Sequence, residues 1–308
     1  MMNYVEIGHS KSQVSQIVLG LMRIPQLDEQ GLDSLLLTAL DAGINMLDIA
    51  DIYSRGRAEE LLGQAFARGM KREDFYLQSK CGIVKDPLNY FDFSKEHIIK
   101  AVEGSLKRLK TDHLDCLLLH RPDALMEPEE VQEAFAQLYE QGKVLDFGVS
   151  NFNPAQIDLL QSGLKFKLCA NQVQLSLCHT PMLDHGFNVN LFNEAAVGRD
   201  GGVLEYCRLH DIVIQAWSVL QHGFFGGVFI GSPAYVPLNA VLERIATEQG
   251  VTPTAVALSW ILRYPGSMQA VIGTTRPQRV LESVRACEVS LSRREWYELY
   301  TAAGNKLP

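Results

Sequence analysis

The chain has 308 residues, a formal net charge of -8 and a 47% hydrophobic share. That share supplies a sizeable core, and the acidic balance disfavours nonspecific binding to nucleic acid or to an anionic membrane surface. No run approaches the roughly 18 continuous apolar residues that a membrane-spanning helix needs.

The start, MMNYVEIGHSKSQ, lacks the basic region and apolar core of a signal peptide. Cys81, Cys116, Cys169, Cys178, Cys207 and Cys287 show no CxxC pairing and lie mostly in apolar runs. Buried, reduced thiols, no metal site and a cytoplasmic location are therefore expected.

Along the chain, YVEIGHSKSQVSQ turns at the polar GHSKS and reads as a short hairpin ahead of the main fold. Strands are expected at 17–20, 45–49, 75–80, 115–119, 145–149, 169–173, 212–217 and 269–272, as apolar or alternating runs bounded by turn residues. Helical patterns fill the gaps between them. Two carry clear end signals, with Ser94 ahead of KEHIIK as a cap and Gly142 after AQLYEQ as a stop. The stretch CHTPMLDHGFNVNLFNEAAVGRD has no period and reads as a loop over one mouth. A helix begins near Pro277, and LSRREWYELYTAAG reads as an added C-terminal helix. Eight alternating units with near-continuous apolar strands fit an α/β fold of the closed (β/α)8 TIM-barrel type. No proline- or serine-rich linker divides it, so residues 1–308 are expected to form one domain. A doubly wound open sheet would want a glycine-rich turn after its first strand, and VLGLMRIPQ offers a single glycine.

In such a barrel the strand C-termini gather at one face. Asp48 closes the second strand in GINMLDIADIY, Tyr53 follows it, Lys80 closes YLQSK and His120 closes HLDCLLLH. These four types make a chemistry. An ammonium favours a phenolate and would lower the pKa of Tyr53, while Asp48 would keep Lys80 charged and in place. A tuned phenol can protonate a carbonyl oxygen, and an imidazole can orient it. None of the four supplies a hydride, so a cofactor is implied. Each residue alone has a plainer reading, as a loop cap, a turn aromatic, a solvated lysine or a strand-closing histidine.

The segments GINMLDIADIY, YLQSKCGI, HLDCLLLHRPD, GKVLDFGVSNF, ANQVQLS, IQAWSVLQHG and VIGTTRPQRVLES resemble, in order and spacing, those of the aldo-keto reductase family. The likeness is strongest to bacterial oxidoreductases with HRPD and GVSNF. It implies a nicotinamide cofactor across the barrel mouth and Asp48, Tyr53, Lys80 and His120 as the catalytic tetrad. It places Gly20, Leu21, Met22 and Asp48 beside the cofactor, with Ser150, Asn151 and Gln172 on the carboxamide. Trp217 would stack on the nicotinamide, and Ser218, Val219, Leu220, Gln221 and Gly223 would meet the pyrophosphate. Gly273, Thr274, Thr275, Arg276, Arg279, Glu282 and Ser283 would hold the adenosine end. The two arginines beside a helix start suit a 2′-phosphate, so NADPH is favoured, with NADH still possible.

Three positions depart from the common family pattern. Gly273 stands where many members carry a phosphate-binding lysine, Ser283 where asparagine is usual, and Val219 where proline is usual.

The resulting expectation is reduction of a small carbonyl compound. A non-catalytic nicotinamide-binding sensor subunit and a Schiff-base aldolase using Lys80 are the alternatives. Substrate choice rests with the mouth loops Ile24–Gln26, Ile83–Phe93, Pro181–Gly201 and Phe224–Val236, where Arg121 and His179 are polar candidates nearby. Oligomeric state is not legible.

Overall fold

A computed structural model describes residues 1–85 and 88–308. Strands β1 (Tyr4–Ile7) and β2 (Ser12–Ser15) form an antiparallel hairpin, with Val5 opposite Val14. The barrel strands begin with β3 (Ile17–Gly20), β4 (Met46–Asp48) and β5 (Tyr76–Cys81). A second hairpin, β6 (Ile83–Lys85) and β7 (Asn89–Phe91), interrupts them. The barrel resumes with β8 (Leu114–Leu119), β9 (Val144–Ser150), β10 (Ala170–Gln174), β11 (Val213–Trp217) and β12 (Met268–Ile272). All barrel pairs are parallel, and β12 returns to β3 through Val271 opposite Val18, which closes the eight-stranded ring.

The sequence explains the closure. Strands such as YLQSKC and LDCLLL are buried almost throughout, as strands covered on both faces must be. Their outward side chains pack on helices whose starts are locally specified. The Ser94 side chain accepts from His97 N over helix Lys95–Leu109, and Asn153 with Gln156 forms a capping box over Pro154–Gly163. The added helix Arg293–Ala302 starts with a second capping box and docks by its tryptophan. Trp260 and Trp296 stack with ring centroids 4.7 Å apart, and each indole N–H donates to the other's backbone carbonyl at 3.0 Å.

The first hairpin covers the floor of the barrel. Ile7 and Val14 pack on inward residues of the strands, including Val18, Met46 and Val213. Asp146 accepts from His9 N at 2.6 Å and from the Tyr76 hydroxyl at 3.0 Å, tying the hairpin turn to two strands. With the floor covered, the strand C-termini form the open mouth.

Two mouth loops are more ordered than their sequence indicates. The aperiodic stretch contains helix Pro181–Phe187 and a 3-10 turn at Glu194–Ala196, each too short to show a period. The loop Ile83–Phe93 contains the β6–β7 hairpin, whose residues 86 and 87 lie outside the described residues.

Candidate active site

Asp48, Tyr53, Lys80 and His120 meet at the mouth. Lys80 comes from β5 next door to Asp48 at the end of β4. Its Nζ sits 2.7 Å from both carboxylate oxygens and donates to Ile49 O at 2.9 Å. The Tyr53 hydroxyl is 3.4 Å from the same Nζ. His120 follows β8, held by its N–H on Cys81 O at 2.9 Å, and its ring meets that of Tyr53 edge-on with centroids 5.8 Å apart.

Beneath the pair lies a layer of amides. Asp48 Oδ1 accepts from Gln78 at 2.6 Å and from Gln172 at 2.9 Å, as well as from Lys80. Gln78 and Gln172 both donate to Gln215 Oε1, and Gln215 donates back to Gln78 and on to Gln269. Gln78, Gln215 and Gln269 are fully buried. None of these three stood out in the sequence. Their signal was present: a lone glutamine at the inward position of YLQSK, VIQAW and MQAVI, where an apolar residue would fill a barrel core.

The electrostatics follow from burial. Burial would discharge Lys80, but Asp48 and Tyr53 hold its pKa above the ordinary lysine value. Burial also raises the Tyr53 phenol above its usual range, outweighing Lys80, which pulls it down. The expected lowering of the Tyr53 pKa is thus corrected: Lys80 acts in that direction, and desolvation of a nearly enclosed phenolate wins. Burial, with Lys80, Arg121 and Lys85 nearby, holds His120 well below the usual histidine range, so its imidazole is neutral.

Above the four lies a cavity of about 790 Å³. All sequence-predicted site residues line it except Leu21, Lys80, Gly223, Thr275 and Arg276. Leu21 is core, with only its N–H facing Asp48 O at 2.8 Å. Lys80 lies behind Asp48 and Tyr53 with its side chain fully buried. The Gly223 carbonyl is taken by Gln174. Arg276 precedes helix Pro277–Val284 as an exposed residue, so it departs from the expected pairing with Arg279 on the cavity. His179 also lies off the lining, in a backbone bridge with Ser176.

The Trp217 ring is fixed by its N–H on Asn151 Oδ1 at 3.1 Å, and Asn151 donates in turn to Ser150 Oγ at 2.8 Å. Asn151 and Ser218, each the first residue past its strand, hold left-handed φ of 61° and 55°. That backbone strain sits at the mouth, where it aims both side chains. Gly20 sits in a crowded spot, where a Cβ would lie 3.0 Å from Val271 Cγ1 and 3.1 Å from Ile272 O. At Gly273 a Cβ would lie 2.9 Å from Arg23 Nη1, which donates to the Gly273 carbonyl at 3.0 Å. Arg23, missed in the sequence, thus fills the space that a side chain at 273 would take.

The family model described as "Aldo/keto reductase family" matches residues 16–302. The chain belongs to the aldo/keto reductase family. It is similar to a 6-dehydroglucose reductase of Agrobacterium fabrum, 36% identical over 308 residues and 96% of each chain. An Escherichia coli relative, Oxidoreductase YdhF, is 34% identical over 98% of each chain. Among solved structures, the thermostable aldo-keto reductase Tm1743 with the inhibitor epalrestat matches with a TM-score of 0.78 at 26% identity, covering 98% of this chain and 100% of that one. This aldo-keto reductase is accordingly an NAD(P)H-dependent oxidoreductase. Its lining fits a nicotinamide dinucleotide. Trp217 offers a held, half-exposed ring for stacking, and Arg23 and Arg279 offer cations beside the hydroxyl of Thr274.

Proposed function

We propose that residues 1–308 act as one domain that reduces an aldehyde or ketone to an alcohol. NADPH is the preferred source of the hydride and NADH a weaker one. The observation that carries this reading is the fully buried Lys80 ammonium, bridging the Asp48 carboxylate and the Tyr53 hydroxyl directly under the cavity.

The bound nicotinamide supplies the hydride, and the side chains handle the oxygen and the proton. A neutral His120 donates a hydrogen bond to the carbonyl oxygen and orients it. As that oxygen gains negative charge, the Tyr53 hydroxyl gives it a proton, and the phenolate left behind is stabilised by Lys80. Asp48 keeps Lys80 charged, and the amides of Gln78 and Gln172 hold Asp48. The raised Tyr53 pKa supports the acid role, since the phenol keeps its proton until the oxyanion forms. For the cofactor preference, Arg279 and Arg23 on the same wall support recognition of a phosphate.

An aldolase role is disfavoured. A lysine chelated by a carboxylate, kept charged and screened from the cavity by Asp48 and Tyr53 is a poor Schiff-base nucleophile. Cytoplasmic residence is part of the same reading, supported by six free cysteines, four of them buried.

The test is NADPH consumption over a panel of aldehydes and ketones, run beside cofactor binding read from Trp217 quenching. Tight binding with no turnover of any carbonyl would replace the reductase reading with that of a nicotinamide-binding sensor.

A further inference from the structure

Arg121 stands apart from the other enclosed arginines. Arg72 pairs with Asp115, and Arg108 with the buried Glu59, each at 2.7 Å. Arg121 is half-buried beside His120, yet among the described residues it has no ion pair and no hydrogen bond. Among the described residues its aromatic companion is the Trp217 ring, with Cζ 5.8 Å from the centroid. A guanidinium carries five donors, and with none of them met by protein among the described residues they are free to take a ligand in the cavity. Lying over a ring that Asn151 holds also places the guanidinium in advance.

The charge around it points the same way. Lys85, exposed at the end of β6, lines the same cavity and has no ion pair among the described residues. Among the described residues the carboxylates on the cavity wall are Asp48, which is committed to Lys80, and Glu282, in the helix after β12. In the ring order β8 and β12 stand four places apart out of eight, on opposite sides of the mouth. Arg23 and Arg279, grouped with Gly273 on the β12 side, suit the cofactor phosphates. Arg121 and Lys85, beyond β8 and β5, face the catalytic side. In a protein of net charge -8, this is a positive corner next to the proton donor, with no acidic partner among the described residues. Phe224 and Phe225, exposed and packed against Trp217, add an apolar wall beside it.

We infer that the substrate bears an oxyanion, a carboxylate or a phosphate ester, gripped by Arg121 with Lys85 beside it while the carbonyl meets Tyr53 and His120. This rests on the reductase reading for the carbonyl, though not for the anion grip. The grip fixes the substrate's direction, because His120 and Arg121 are adjacent in the chain and set the span from carbonyl to anion.

The test uses two matched pairs, 4-carboxybenzaldehyde against 4-carbamoylbenzaldehyde and glyceraldehyde 3-phosphate against glyceraldehyde. The kcat/KM ratio within each pair is measured for the wild type, Arg121→Met and Arg121→Lys. The wild type should favour the anion in at least one pair, and which pair it is separates carboxylate from phosphate. Arg121→Met should cut that ratio roughly 10–100-fold, as loss of a charge-assisted pair predicts. The loss should appear mainly in KM, and Arg121→Lys should restore part of it. The ratio is internal to each variant, so partial misfolding does not mimic the effect.

Trp217 quenching by the matched alcohols reads binding without turnover. A wild type without anion preference, or a ratio untouched in Arg121→Met, overturns the grip even if carbonyls are reduced. Anion preference in binding with no carbonyl reduced leaves the grip standing and sinks the reductase reading.

Discussion

Replacing Lys80 by methionine keeps most of the length of the side chain and removes its charge. Lys80 is 0% and Asp48 3% exposed, and no other cation pairs with this carboxylate among the described residues. Gln78 and Gln172 would still donate to Oδ1, but neutral amides do not neutralise a buried carboxylate. Removing one partner of a buried pair costs about 3–5 kcal/mol. With an unfolding entropy of about 2.1 cal/mol/K per residue over 308 residues, that loss lowers Tm by about 5–8 °C. The companion Asp48→Asn/Lys80→Met removes both charges and should recover most of the loss. The assay is thermal and urea unfolding of both single variants, the double variant and the wild type, as a thermodynamic cycle. A Lys80→Met protein within about 1 kcal/mol of wild type, well under the cost of orphaning a buried charge, would refute the reasoning. So would a double variant no more stable than the single one, because the ion pair would then not be what holds this end of the barrel.

Tyr53→Phe should lower carbonyl reduction by about 10²–10⁴, the usual contribution of a general acid, while cofactor still quenches Trp217; near-normal turnover would remove the phenol from the mechanism. Arg279→Ala should weaken NADPH by about tenfold or more and NADH much less, with Arg276→Ala the milder change, since only Arg279 lines the cavity. Equal losses for the two cofactors would show that Arg279 merely holds its turn. Asp51 is pushed up to about 7 by burial, with the Glu59 carboxylate adding to the effect, and its Oδ1 meets no donor. The folded protein therefore keeps a proton that the unfolded chain releases from about pH 4 upward, so Asp51 erodes stability as pH rises from about 4 to 7. Asp51→Asn should match wild type near pH 4 and exceed it at pH 8 by about 1–4 kcal/mol in urea unfolding; parallel stability curves would dismiss the buried charge.

The barrel was legible because each of its strands is a short apolar run and most gaps carry a helical period, two of them with a clear cap or stop. The four catalytic candidates were legible for a related reason, since each polar residue lies at or just past the end of such a run. What spacing could not convey was distance across the ring. Gln78, Gln172, Gln215 and Gln269 sit on four strands scattered from residue 78 to 269, and only closure joins them. Arg23 was hidden likewise, because its partner is a backbone carbonyl 250 positions away. The direction of the Tyr53 shift was missed because a sequence shows which charges are near but not how much water is lost. The β6–β7 hairpin and the helix Pro181–Phe187 escaped because three-residue strands and two helical turns carry too little pattern.

The glutamine layer has a consequence for how this barrel can change. A carboxamide rotated by half a turn exchanges donor for acceptor, so one glutamine cannot reverse unless its neighbours reverse with it. Asp48, which as a carboxylate only accepts, fixes the sense of the whole set by demanding N–H groups from Gln78 and Gln172. Four strands thus share a single orientation dictated by one anion. Substituting leucine for any one glutamine strands the amides of the others in a dry interior. Variation at these positions should therefore arrive as coordinated sets spanning β5, β10, β11 and β12, and grafting one strand from a relative with a different layer should fail where exchanging all four succeeds.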